Sequence, residues 1–322
     1  MAQYTAPAMA RHPPEPQRAL DASALEATLR RAARAAQPPW LHAEVARRMG
    51  DRLAVIRLAP QWLIDWWGFS GAGGATLAAS YPKAHRLVIE PTAALALRSR
   101  AAARWPWWTV QRWRGGNVDV LLDAVDRPGP ADAAEMPAGA PLIWANMMLH
   151  AEPDPPALFA RWGELLQIDG VLMFSCLGPG TLRELRELYA RLGWPAPTPA
   201  FVDMHDLGDM LVQAGFADPV LDQETLTLHW ANPQALLAEL RTLGGNAAPD
   251  RYAGLRTPRW RKRLLDELQR LAGPDGRLRL SFEIAYGHAF KAAPRIREGQ
   301  PTLVSLAQMR ALVRSRNSAR PS

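Results

Sequence analysis

Five short apolar runs constrain this chain most: "WLIDW" (62–66), "RLVIE" (86–90), "VDVLL" (118–122), "PLIWANM" (141–147) and "GVLMFSCL" (170–177). Each is too short for a buried helix, and a strand apolar on both sides can face water on neither. Runs of this kind, alternating with helical patterns, predict a parallel sheet covered on both faces. Residues 23–53 read as one or two amphipathic helices broken at "QPPW", because Pro38 and Pro39 cannot continue a helix interior. "PPALFARWGELLQIDG" carries helical spacing closed by Gly170, and "TLRELRELYARLG" and "MHDLGDMLVQAGF" are of the same kind. "DPVLDQETLTLHW" and "LRLSFEIAYGHAF" read as a sixth and a seventh strand, with a helical insert at 233–272 between them. The expected fold is α/β, with a seven-stranded, mostly parallel Rossmann-like sheet.

In such sheets a nucleotide cofactor sits beyond the carboxyl ends of the strands, where the first strand turns into its helix. The stretch "LIDWWGFSGAGGATLAASYPKAHRLVIEPT" (63–92) has that order. Asp65 ends the first run, Gly68, Gly71, Gly73 and Gly74 crowd the turn, and Glu90 ends the second run. An acid at the second strand end can accept both ribose hydroxyls of an adenosine group. A plainer reading has glycines serving tight packing and Glu90 as a solvated strand end. The residues alone leave both open.

Composition narrows the class. No apolar run reaches the roughly 18–20 residues that a membrane span needs, so no membrane association is expected. The single cysteine, Cys176, excludes a disulfide framework or a thiolate metal cluster and fits a reducing, cytoplasmic setting. The formal charge of +7 favours acidic partners. The basic residues are dispersed, apart from "TPRWRKRLLDELQRL" (257–271) and the C-terminal tail, and no Cys/His finger or aromatic RNA-binding signature accompanies them. No nucleic-acid partner is expected.

"LIWANMMLHAEPDPPALFARWGELLQIDGVLMFSCLGPGTLRELRELY", "FVDMHDLGDMLVQAGFADPVLDQETLTLHW", "LLAELRTLGGNA" and "FEIAYGHAF" together resemble the S-adenosylmethionine-dependent malonyl-acyl-carrier-protein O-methyltransferases of biotin synthesis, block by block and in the family's order. The resemblance covers most of residues 20–291 and implies a class I methyltransferase fold with an N-terminal helical lid. It implies S-adenosylmethionine as cofactor, an acyl-carrier protein or other acidic partner, and Asp65, Gly68, Gly71, Gly73, Glu90 and Asn146 around the cofactor, Asn146 towards its methionine end. For Asn146 a strand-end cap is the competing reading. The implied organisation is a disordered leader (1–20), a methyltransferase-like domain (21–291, lid 21–53, insert 233–272) and a basic, flexible tail (292–322).

Two departures stand out. Setting Asp65 on the family's D-x-G-x-G-x-G motif puts Gly71 on the third glycine but Trp67 and Phe69 on the first two. The lid has Pro38, Pro39 and Trp40 where the family has a conspicuous tyrosine; Trp40 reads as a packing residue. The alternative function is therefore a methyltransferase-fold protein with weakened or lost S-adenosylmethionine binding that acts as a binding or assembly factor. A mitochondrial respiratory-complex assembly factor of this fold shares parts of the pattern. The acid expected after the third strand could be Asp123, Asp126 or Asp132. His150, Asp203, His205 and Asp206 lack a third ligand at metal-binding spacing, and Asp203 reads first as a helix N-cap. No metal site and no catalytic residue is assigned. Ser175-Cys176 lacks a nucleophile elbow, so hydrolase chemistry is not expected.

Overall fold

The computed structural model describes residues 19–53, 56–103, 117–123 and 139–293. The expected leader and tail fall largely outside them, at 1–18 and 294–322, as do Asp126 and Asp132.

Strands β1 (Trp62–Trp66), β2 (His85–Glu90), β3 (Val118–Leu122), β4 (Ala140–Ala145), β5 (Leu166–Leu177), β6 (Phe216–Trp230) and β7 (Leu278–Lys291) form one sheet in the order β3-β2-β1-β4-β5-β7-β6. The first five run parallel; β7 pairs antiparallel with both β5 and β6. All seven predicted strands form. Because the chain leaves β1 for β2 and β3 and then crosses back to β4, the order reverses between β1 and β4. This topological switch point opens a crevice at the strands' carboxyl ends, and Asp65 and Asn146 lie beside it.

Helices α1 (Ala22–Arg34) and α2 (Trp40–Leu53) are separated at the prolines, as their missing N–H groups require. Helices α3 (Gly68–Gly71), α4 (Gly74–Ser80) and α5 (Ala93–Ala103) follow the first two strands. Helices α6 (Pro155–Leu165), α7 (Arg183–Arg191) and α8 (Met204–Gln213) come before β6, and α9 (Pro233–Thr242) and α10 (Pro258–Arg270) lie between β6 and β7. Asp21, Asp154, Asp203, Asn232 and Thr257 each accept a backbone N–H in the first turn of their helix, the capping that short polar side chains supply best.

Alternation along each strand divides the core into two layers. Leu63, Leu142, Trp144 and Met173 pack on one face with α2, α7, α9 and α10. Ile64, Trp66, Ile143, Ala145 and Phe174 pack on the other with α6 and α8, where Trp66 meets Trp162 edge-on and Phe159 packs tilted against Trp162.

Two expectations are corrected. The helix expected to run to Gly170 stops at Leu165, and Leu166 already pairs with Ala140 in the sheet. Gly170 serves a strand irregularity: a Cβ there would sit 2.7 Å from the Ala140 carbonyl oxygen, and Asp169 before it takes φ +61°. Trp40 is not a packing residue; it is 48% exposed, and its indole N–H donates to Glu239 of α9.

Phe174 faces Gly287 across the β5–β7 pair, and a Cβ on Gly287 would run into its ring. Gly287→Ala should therefore cost about 1–3 kcal/mol by overpacking. A urea denaturation midpoint lowered at unchanged slope would show it; an unaltered midpoint would mean the ring relaxes freely.

Candidate functional site

The site grows from the end of β1. Asp65 is buried, with Arg86 Nη1 3.9 Å from its Oδ2. Burial raises its pKa to about 6, against the pull of that guanidinium. Trp67, two residues on, holds φ +55°, the left-handed conformation that a glycine takes without strain. Its indole is buried in the α6–α8 core layer, and its backbone N–H donates to Ile89 O at 2.6 Å. Residues 68–71 then close one helical turn before Ala72, also left-handed at φ +56°, redirects the chain into α4.

The glycines answer to the protein's own side chains. A Cβ on Gly68 would lie 2.7 Å from Asp65 Oδ2, and one on Gly71 would lie 2.9 Å from Asn146 O. Gly73 has the Trp144 indole where its Cβ would be. The packing reading of the glycines thus describes their environment, but the solvated reading of Glu90 is wrong. Glu90 is fully buried. Its Oε1 accepts from Phe69 N at 2.7 Å and from Ser99 Oγ at 2.5 Å, while Oε2 has no hydrogen-bond partner. Burial pushes its pKa up to about 7; the Ser99 and Phe69 hydrogen bonds oppose this, and the Asp65 charge reinforces it. Asp65 Oδ1 is likewise buried and unpartnered.

Asn146, just past β4, is fully buried, with both amide hydrogens donated and its oxygen accepting once. Its Nδ2 donates to His42 O at 2.8 Å and to Gly71 O, and its Oδ1 accepts from Ser175 Oγ at 2.7 Å. Ser175 Oγ accepts Met147 N at 3.0 Å, which places this serine in the backbone scaffold. His42 on α2 contacts Ser70 O through Nδ1 at 2.7 Å. Burial lowers its pKa to about 4, so the ring is neutral and donates from Nδ1. The lid helix is thereby joined to the glycine turn at two points.

Between turn and lid lies a slot of about 80 Å³, lined by His42, Trp67, Phe69, Ser70 and Met147 with Pro38 and Pro39 opposite. It adjoins a cavity of about 540 Å³ under α1, α7, α9 and α10, and both share Leu25, Thr28 and His150. Ligand sites of drug size enclose about 300–1,000 Å³. The two orphaned carboxylate oxygens could accept the hydroxyl donors of a nucleoside-type cofactor; the slot lined by Trp67 and Phe69 is well below that size range.

Of the other sequence candidates, Asp123 pairs with Arg161 at 2.5 Å, and its N–H donates to Glu90 O at 2.7 Å. His150 lies against Phe201, Asp203 caps α8 through His205 N, and His205 and Asp206 are exposed. Among the described residues no group of three or more His, Cys, Asp or Glu could hold a metal ion, and no helix is long and apolar enough to cross a membrane. Sequence reasoning missed Arg86, Ser99 and His42. Only Ser99 carried any signal, a small hydroxyl nine residues beyond the strand-end acid.

No family model matches the sequence. A malonyl-acyl-carrier-protein O-methyltransferase of Gallionella capsiferriformans is 38% identical over 259 residues, covering 80% of this chain and 86% of that protein. The chain belongs to the malonyl-acyl-carrier-protein O-methyltransferase family. A second member, from Laribacter hongkongensis, is 34% identical across 80% of this chain and 84% of its own length. The YcgJ protein of Bacillus subtilis superposes with a TM-score of 0.50 at 12% identity, over 76% of this chain and 98% of that one. The fold is that of a class I methyltransferase.

The raised Glu90 pKa has a stability consequence with a definite sign. A carboxyl whose folded pKa is about 7 and whose ordinary value is 4.5 binds more protons folded than unfolded between those values. Its stabilising contribution is complete below about pH 4.5 and is lost as pH rises to 7. Glu90→Gln should therefore gain stability relative to the parent over that window, by up to roughly 3 kcal/mol. Parallel urea titrations at pH 5 and 7.5 would measure it; a difference independent of pH would refute the buried, proton-hungry carboxyl.

Proposed function

We propose that this chain transfers a methyl group from S-adenosylmethionine to the malonyl carboxylate of an acyl-carrier-protein thioester, the reaction for which its relatives are named, on the way to biotin. The observation that carries this reading is the pair of buried acids at the ends of β1 and β2, each with one unused oxygen, in a chain 38% identical to a family member. The family relationship does not favour the alternative of a purely binding or assembly role.

Asp65, Glu90 and the backbone of residues 68–71 are the groups that would hold the cofactor, which when bound supplies an electrophilic methyl on a sulfonium. The protein's remaining work is positional. A carboxylate is already ionised at neutral pH, so no general base is required. Alignment and exclusion of water carry the acceleration. Neutral His42, fixed to Ser70, keeps the lid from placing a positive charge beside the slot.

Trp67 and Phe69 narrow that slot, and we assign to them a weakened cofactor affinity. The paired change Trp67→Gly with Phe69→Gly should strengthen S-adenosylmethionine and S-adenosylhomocysteine binding in titration calorimetry, and adding Glu90→Ala should remove the gain. Tight binding by the unmodified protein, lowered by the two glycines, would show the aromatics to be working walls of the site.

The partner is an acidic carrier protein, and the exposed face of α10, with Arg259, Arg261 and Lys262, is its docking surface. Exposed charge contacts are screened beyond roughly 8 Å at physiological salt. Carrier affinity should fall as salt is raised and fall again on charge reversal at these three positions. Binding indifferent to both would remove α10 from the interface.

A further inference from the structure

Three cavities stand in a row from the surface to the glycine turn. An outer one of about 260 Å³ is lined by Tyr189, Pro195, Arg251, Tyr252, Arg256 and Trp260. It shares Tyr189, Asn246, Arg256 and Trp260 with the 540 Å³ cavity, which in turn shares Leu25, Thr28 and His150 with the slot beside Trp67 and Phe69. A row of this shape suits a long, thin ligand that enters from outside and carries its reactive group to the slot.

The groups along the row define the ligand's chemistry. At the outer end the Arg256 guanidinium lies 3.8 Å from the Tyr252 ring centroid and 4.4 Å from that of Trp260. Held over two rings, it has no carboxylate within ion-pair distance among the described residues, whereas its neighbour Arg251 is paired with Asp21 at 2.7 Å. A stacked guanidinium with its fork uncommitted is suited to an oxyanion such as phosphate. Further in, two polar atoms lack partners: Trp260 Nε1, a donor, and Thr198 Oγ1, on a side chain only 8% exposed. Both residues line the large cavity. Buried polar atoms without a partner are costly and suit a ligand that supplies the missing hydrogen bonds, as an amide does. Between them the walls are apolar, from Leu185, Leu237, Leu240, Leu264 and Phe282.

Phosphate, then a slender chain interrupted by amides, then a thioester is the composition of the phosphopantetheine arm that acyl carriers bear. We propose that this row of cavities seats the phosphopantetheine arm of a carrier protein, with Arg256 binding its phosphate and Trp260 and Thr198 meeting its amides. The inference rests on the carrier-thioester reading above and deepens it: the insert between β6 and β7, with Thr198 from the segment between α7 and α8, recognises the arm, separately from the acids assigned to the cofactor.

The test is calorimetric titration of the full chain, without cofactor, with 4′-phosphopantetheine and with pantetheine. The phosphorylated compound should bind about tenfold more tightly, the worth of one charge-assisted hydrogen-bonded contact. Arg256→Gln should abolish that preference and leave pantetheine binding intact. Thr198→Val should weaken both ligands alike, and melting curves of both variants should match the parent. Holo-carrier protein should bind more tightly than its apo form. Equal affinity for the two small ligands, a preference that survives Arg256→Gln, or coenzyme A binding more tightly than holo-carrier would each overturn the proposal. Since the titrations need neither cofactor nor turnover, arm binding without methyl transfer would sink only the functional reading, and methyl transfer without phosphate preference would sink only this one.

Discussion

The side-chain amide of Asn146 is the interaction on which the site depends. A buried amide left unpaired would cost on the order of 1–3 kcal/mol, so its partners are held in place as firmly as it is. They come from three places: the lid helix through His42 O, the glycine turn through Gly71 O, and β5 through Ser175 Oγ. One residue at the end of β4 thus sets the height of the turn above the sheet and of α2 above the turn. In the structure Asn146 is a staple whose two amide hydrogens and one acceptor site are used within the protein.

Around that staple the turn carries its departures from the family motif at a cost spread over several contacts. Holding a bulky residue left-handed costs roughly 1–3 kcal/mol, and Trp67 and Ala72 both adopt that conformation. For Trp67 the cost is offset by burial of the indole, which at about 25 cal/mol per Å² of apolar surface is of comparable size or larger. Phe69 is handled differently: its ring stays half-buried with Arg98 5.0 Å above it, while its backbone N–H still serves Glu90. Asp65 and Glu90 therefore stay buried at the ends of their strands, and the aromatics line the neighbouring slot.

This division explains what the sequence made legible. Strand runs could be read because burial on both faces leaves an unmistakable apolar pattern, and the proline break between α1 and α2 could be read because a missing N–H is a local fact. The end of α6 could not: Gly170 looks like a helix terminator, and only its approach to Ala140 across the sheet shows it to be a strand residue. Trp40 could not either, because its partner Glu239 lies 199 positions away. At the site, Asp65, Glu90 and the glycines were legible from order and spacing. The Ser99, Arg86 and His42 contacts were not, since each depends on which face of an element meets the turn.

The lid closes two spaces at once, and its two helices are anchored unequally. Helix α2 buries Leu41, Val45, Ala46, Met49 and Leu53 and cannot leave without opening the core. Helix α1 has no fully buried residue. It is held by the Asp21–Arg251 ion pair, by Asp21 N on Ala247 O, and by Arg98 on the carbonyls that follow it. Ion pairs and hydrogen bonds of this kind at the surface contribute little to stability. Leu25 and Thr28 of α1 wall both the slot and the large cavity, with Leu29 and Ala32 adding to the slot. Displacing α1 alone would widen both spaces and would leave the Asn146–His42 link intact. Of the two lid helices, α1 therefore has the fewer buried contacts to lose.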